Sequence, residues 1–230
     1  MNKALENAWA GLTFIVMLAA TYLVFMWVPN EKVMGVVQKI FYFHVSSAWI
    51  GFFAFFVVFI AGIMYLKTRD SKWDWVGSAS AEIGVVFTTI VLLTGPIWGR
   101  SAWGAWWTWD PRLTTTLVLW FVYVACLLVR SALDQEEKRA RFSAILGIVG
   151  FLDVPLVWFS IRWWRWTIHP NIIESGGKLA ISSKMQVTLM VSLLAFTCLY
   201  FYLLPKVVRL AKHQSMLREM KEAIRGRLTA

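Results

Sequence analysis

The chain has 230 residues, 59% of them hydrophobic and only 16% charged, with a net charge of +10 and a mean hydropathy of +0.60. So little polar sequence cannot clothe a water-soluble globule of this size, which leaves an integral membrane protein as the expected class. The basic excess is read as membrane topology and attraction to anionic lipid, and no nucleic-acid partner is expected.

A bilayer span needs about 20 mostly apolar residues. Six runs supply it, at about 9–28, 42–66, 76–97, 112–130, 142–162 and 184–205. Their apolar character is continuous rather than alternating, which predicts helices and not strands. The expected fold is an all-α integral membrane bundle of six transmembrane helices over residues 1–205, followed by a basic tail over 206–230. The first run is too long for the apolar core of a signal peptide and has no small-residue cleavage site before Pro29, so it reads as a retained helix.

Lys and Arg sort the loops by side. The N-terminus, the second and fourth loops and the tail hold fifteen of them, against eight in the odd-numbered loops. That asymmetry predicts both termini in the cytoplasm and loops one, three and five on the opposite face. The tail beyond Pro205 reads as a solvated basic helix at the membrane surface.

The first outer loop leads into Phe43-His44-Val45, which places His44 at the outer lip of the second helix. Gly51 and Gly62 in that helix suit close helix packing. Helix three carries Glu82, about two turns from its cytoplasmic end, and Thr94-Gly95-Pro96 reads as its terminator. The outer stretch that follows, WGRSAWGAWWTWDPRLT over 98–114, holds five tryptophans: Trp98, Trp103, Trp106, Trp107 and Trp109. Each indole offers a flat apolar face and one N–H donor, suited either to the membrane boundary or to stacking on a flat ligand. Gly99 and Gly104 allow the backbone to approach closely.

Asp110-Pro111 has the chemistry of a helix start, with Asp as the N-cap and Pro at the first helical position. Helix five carries Asp153, an acid near mid-membrane and hence a functional hint without a nameable partner, and Pro155, expected to kink the helix. It ends in a second aromatic cluster with Trp163 and Trp164, followed by His169. Cys126 and Cys198 fall deep in spans and read as small apolar fillers, and there is no C-x-x-C-H for covalent c-type haem attachment. His213 lies in the tail, away from the other two histidines.

His44, the tryptophan loop and His169 thus belong to one membrane face. Two imidazoles, many aromatic faces and outward arginines fit a haem: the iron takes axial imidazoles, indoles cover the macrocycle, and Arg100, Arg112, Arg162 or Arg165 can bind propionates. Arg112 is the first choice among them. Zinc or copper would need further ligands, and the outer loops offer only Glu31, Asp110 and Glu174 without tight spacing.

The residues Trp98-Gly99, Trp103-Gly104, Trp106-Trp107, Trp109-Asp110 and Arg112-Leu113-Thr114 resemble the tryptophan-rich WWD signature of haem-handling proteins in cytochrome c maturation. Length, six spans and the signature between helices three and four resemble the CcmC, or haem exporter C, family within that group. The likeness extends to Phe43-His44-Val45 and to Trp163-Trp164 five residues before His169. It implies that His44 and His169 are axial ligands to the iron of a non-covalent haem b in transit. It also implies that the WWD loop holds haem at the periplasmic face of a bacterial inner membrane and presents it to the haem chaperone CcmE for covalent loading. The ABC transporter subunits CcmA and CcmB and the small membrane protein CcmD are the further partners it implies. No acid–base or nucleophile constellation is read in the sequence, so catalysis of the attachment is left unassigned. The rival reading is a transporter subunit moving haem or a small solute across the membrane, with Glu82 and Asp153 as the polar path.

Overall fold

Long apolar runs become helices in a bilayer because only a helix satisfies every backbone donor and acceptor within one segment. The computed structural model describes residues 3–164, 167–170 and 180–229, and the helices run α1 (Lys3–Tyr22), α2 (Ile40–Thr68), α3 (Ser71–Trp103), α4 (Pro111–Ala132), α5 (Glu136–Phe151), α6 (Asp153–Trp163) and α7 (Ser183–Thr229). A π-helical turn, Leu23–Trp27, extends α1, and a short 3₁₀ turn, Val36–Lys39, leads into α2. Since α5 and α6 together make one span, six spans are long and apolar enough to cross a membrane.

α2 and α3 form the central pair. Packing in lipid relies on close contact rather than on hydrophobic transfer, so small residues set where helices touch. A Cβ on Gly84 of α3 would meet the Phe55 ring of α2 at 2.5 Å, and one on Gly51 of α2 would meet Thr88 Oγ1 at 2.9 Å. Gly62 sits equally close to α5, 3.0 Å from the Ala144 carbonyl in the same construction. The packing role expected of Gly51 and Gly62 is therefore present.

Phe55 stacks on Tyr123 of α4 with centroids 3.6 Å apart and planes 8° from parallel, and the Tyr123 hydroxyl donates to the Gly147 carbonyl of α5 at 3.0 Å. On the other side of the pair, Ser80 donates to the Ala54 carbonyl at 2.8 Å. Its single proton is thereby committed, so the Tyr200 hydroxyl of α7 donates to Ser80 Oγ at 2.7 Å. These buried polar contacts fix the azimuth of each helix against α2 and α3.

At the end of the bundle away from the histidines, Arg130 of α4 donates through both terminal nitrogens to Asp74 of α3, at 2.5 and 2.6 Å. Arg209 of α7 pairs with Glu6 of α1 at 2.8 Å, and Ser215 of α7 hydrogen-bonds Glu136 of α5. The extension of α7 therefore docks on two other helices as it leaves the bundle.

Two expectations need correction. α3 does not stop at Thr94-Gly95-Pro96 but runs through Pro96 to Trp103. Proline removes one intrahelical donor, a local cost that the flanking turns absorb, and the helix ends instead where Gly104 adopts φ 74° and its N–H reaches the Arg100 carbonyl at 3.1 Å. The tryptophan stretch is consequently split: Trp98–Trp103 is helical, 104–110 is the loop proper, and Pro111 onward belongs to α4. The kink expected from Pro155 is present: the fifth span is two helices meeting at Leu152, three residues before the proline, whose missing N–H leaves the Phe151 carbonyl without its i+4 donor. Finally, the segment beyond Pro205 is not a separate surface helix. It continues the last span as one 47-residue helix.

Candidate functional site

His44 lies in the second turn of α2. Its Nδ1 is 2.9 Å from Thr94 Oγ1 on α3, and its Cε1 rests against Gly95, where an added Cβ would come within 3.4 Å. One turn further along α3, the Trp98 indole N–H donates to Gln38 Oε1 at 3.2 Å. The rings of Trp98 and Trp103 meet edge to face at 5.6 Å. Gly99 lies between them, and a Cβ there would strike the Trp103 ring at 2.9 Å. The glycine is what lets that indole lie down on the helix.

Trp103 in turn faces His169, with ring centroids 6.3 Å apart. His169 sits on the segment after α6, which Asp110 holds in place. Asp110 is the N-cap of α4, as expected from Asp-Pro: its Oδ1 accepts from the Arg112 amide at 2.9 Å. Its other oxygen accepts from the Thr167 hydroxyl at 2.6 Å and the Ile168 amide at 2.7 Å. A carboxylate that is 3% exposed is thus satisfied by three donors, and a helix cap doubles as the clamp for the His169 segment.

Arg112 stands beside both imidazoles. One of its terminal nitrogens donates to the Trp158 carbonyl of α6 at 2.8 Å, while its Nε is buried without a partner. Its guanidinium lies within electrostatic range of His44 and His169, and the two imidazoles lie within range of each other. Burial, then the Arg112 charge, then His44 push the His169 pKa down to about 3, so this ring is a neutral base at physiological pH.

The rim is aromatic and open. Trp107 and Trp109 meet edge to face at 5.8 Å, and Trp106 and Trp109 are 60% and 69% exposed. Trp163 stacks on Phe159 at 5.3 Å and touches Trp164 at 6.3 Å, with both tryptophans turned outward. Arg100 is exposed and donates to the Gly104 carbonyl, capping α3 rather than reaching the imidazoles. Arg162 is exposed at the end of α6, and Arg165 and Glu174 lie outside the described residues. The site is a shelf with an exposed aromatic rim; a hollow of about 280 Å³ lies elsewhere, at the Asp74–Glu136 end.

Among the described residues no group of three or more His, Cys, Asp or Glu side chains converges on a point. The imidazole pair, the indoles and an unpartnered buried arginine nitrogen instead match a flat apolar ligand that bears anions and an axial coordination need. Glu82 faces out of the bundle from α3, and Asp153 is half-buried at the α5–α6 break with Oδ2 unpartnered. Sequence reading missed Gln38, Thr94 and Thr167, whose hydroxyl and amide groups carry no motif of their own.

Fold and site together define a multi-pass helical membrane protein with two histidines brought under an indole shelf at one end. The sequence matches the family described as heme exporter protein C, CcmC, over residues 1–224, and the chain belongs to that family. It is 33% identical to the heme exporter protein C of Bradyrhizobium diazoefficiens over 84% of this chain and 73% of the relative. The corresponding Escherichia coli K12 protein is 35% identical over 70% of this chain and 66% of its own length. A ccmC-like mitochondrial protein of Arabidopsis thaliana, described under cytochrome c biosynthesis, is 30% identical over 97% and 84%. Membership places the chain in haem handling for cytochrome c biogenesis.

Proposed function

We propose that this chain holds haem b non-covalently at the periplasmic face of the bacterial inner membrane and presents it for covalent loading onto the chaperone CcmE, in a complex with CcmA, CcmB and CcmD. His44 and His169 would hold the iron, and Trp98, Trp103, Trp106, Trp107 and Trp109 would cover the porphyrin. The observation that supports this reading is that His44, His169 and Arg112, from three separate elements, lie within electrostatic range of one another, with Trp103 facing His169.

Each residue has a physical task. The neutral His169 imidazole offers a lone pair without first shedding a proton. Arg112, with a buried unpartnered Nε, offers a donor and a charge to a propionate. The exposed Trp106, Trp109, Trp163 and Trp164 cover apolar area while leaving the shelf open on one side, so that a partner can reach the ligand's edge. A transfer protein needs that opening, whereas an electron-transfer site would be enclosed.

The test is the absorption spectrum of the purified protein loaded with haem, alone and with the chaperone. A Soret band is expected in the wild type, reduced in both His44→Ala and His169→Ala at unchanged membrane insertion. Haem retention equal to wild type in both variants would refute the ligand assignment. The transporter reading predicts instead that replacing Glu82 and Asp153 with apolar residues abolishes function, which the haem-presentation reading expects to be largely retained.

A further inference from the structure

Thr94 is part of no motif, yet it is the residue whose side chain His44 touches through a ring nitrogen. Its hydroxyl lies 2.7 Å from the Ile90 carbonyl one turn back on α3, and 3.4 Å from that of Val91. A carbonyl only accepts, so the threonine proton goes to Ile90. A hydroxyl has a single proton, so what Thr94 Oγ1 has left for His44 is a lone pair.

We infer that Thr94 fixes His44 as the Nδ1–H tautomer and thereby leaves Nε2 as the nitrogen that coordinates iron, an inference that rests on the haem reading above. The ring N–H donates to Oγ1 across 2.9 Å, and in a neutral imidazole the other nitrogen then carries the free lone pair. Gly95 borders the same ring, and a Cβ there would meet the imidazole Cε1 at 3.4 Å, an ordinary contact. His169 follows the same logic through its own backbone: its Nδ1 faces the Pro170 carbonyl at 3.4 Å, and an acceptor there again demands the proton on Nδ1. Both imidazoles are thus turned by acceptors of this chain to present Nε2. Thr94 is a positioning residue, acting on iron only through His44.

The experiment begins on the haem-free protein in nanodiscs with ¹⁵N-labelled histidine rings, the His44 resonances being those lost in His44→Ala. Wild type is expected to show a protonated Nδ1 and a bare Nε2. Thr94→Val, which keeps the shape but removes the acceptor, is expected to give a mixture of tautomers, and Thr94→Ser to restore the wild-type pattern. A proton on Nε2 in the wild type, or a Thr94→Val spectrum identical to wild type, overturns the inference without reference to haem. Haem titration of the same proteins is then expected to show about 10-fold weaker binding in Thr94→Val, restored in Thr94→Ser. Haem bound equally by wild type and His44→Ala would overturn the haem reading instead, a result the ligand-free spectra keep separate from the tautomer. If Thr94→Val does not fold, the wild-type spectrum alone decides the tautomer.

Discussion

The hydroxyl of Thr167 donates to Asp110 across 2.6 Å, tying the segment that carries His169 to the first turn of α4. The Ile168 amide reaches the same oxygen, so two consecutive residues of that segment hang from one carboxylate. Asp110→Ala removes the cap and the clamp together. A cap alone is worth about 0.5–2 kcal/mol. The larger expected effect is local: the Ile168 amide should lose hydrogen-exchange protection, and haem retention should drop to a level near that of His169→Ala. Protection at Ile168 unchanged in Asp110→Ala would refute the clamp.

Gly99→Ala places a methyl 2.9 Å from the Trp103 ring, closer than real side chains approach. The ring must lift, and it is the one facing His169. Haem affinity is expected to fall while thermal stability changes by only about 1–3 kcal/mol, the usual cost of overpacking. Trp103 fluorescence, read in a background where the other shelf tryptophans are phenylalanine, should move with it. An unaltered affinity would mean the indole does not contact the ligand.

Acid titration has a defined sign. In the unfolded chain His169 takes up a proton near pH 6.5, whereas in the folded protein burial and Arg112 hold it at about 3. Between those values the unfolded state binds more protons, so this group's contribution to stability is full above pH 6.5 and declines as pH falls toward about 3. In haem-free protein the His169 ring resonances should stay flat from pH 7.5 to 5. A midpoint near 6.5 would show the ring to be solvated and the pocket open to water.

Arg130 and Asp74 form a paired charge with side chains 15% and 5% exposed, joining α4 to α3 at the end opposite the histidines. Removing one partner strands the other, at a cost of about 3–5 kcal/mol. Arg130→Met is expected to lower the detergent melting temperature markedly, while Arg130→Met combined with Asp74→Leu recovers much of the loss. Haem titration of the double variant should match wild type, since neither residue reaches the shelf. A double variant no more stable than the single one would remove the ion-pair account.

The six spans were readable because hydrocarbon thickness demands runs that hydropathy cannot hide. The N-cap at Asp110 was readable too, Asp-Pro being a start signal whose chemistry is local. Helix ends set by tertiary context were not. Pro96 looks like a stop, but whether a proline ends a helix or is merely tolerated depends on what holds the next turns, and Trp98 with its bond to Gln38 lies 60 residues away in sequence. The histidines stood out because imidazoles among aromatics at a span's edge are rare; Thr94 and Thr167 did not, because a threonine's acceptor use is invisible until its partner is in place. In the sequence Asp110 reads as a cap and a motif member; its second role depends on Thr167, which arrives from the end of another span.

Because α3 passes unbroken through Pro96, Thr94, Trp98 and Trp103 ride on one rod. The anchor of one imidazole and the wall facing the other cannot be adjusted separately: any tilt of that rod away from α2 stretches the Thr94–His44 contact and withdraws Trp103 from His169 in the same movement. On the haem reading, grip on both sides of the ligand would be geared to a single helix.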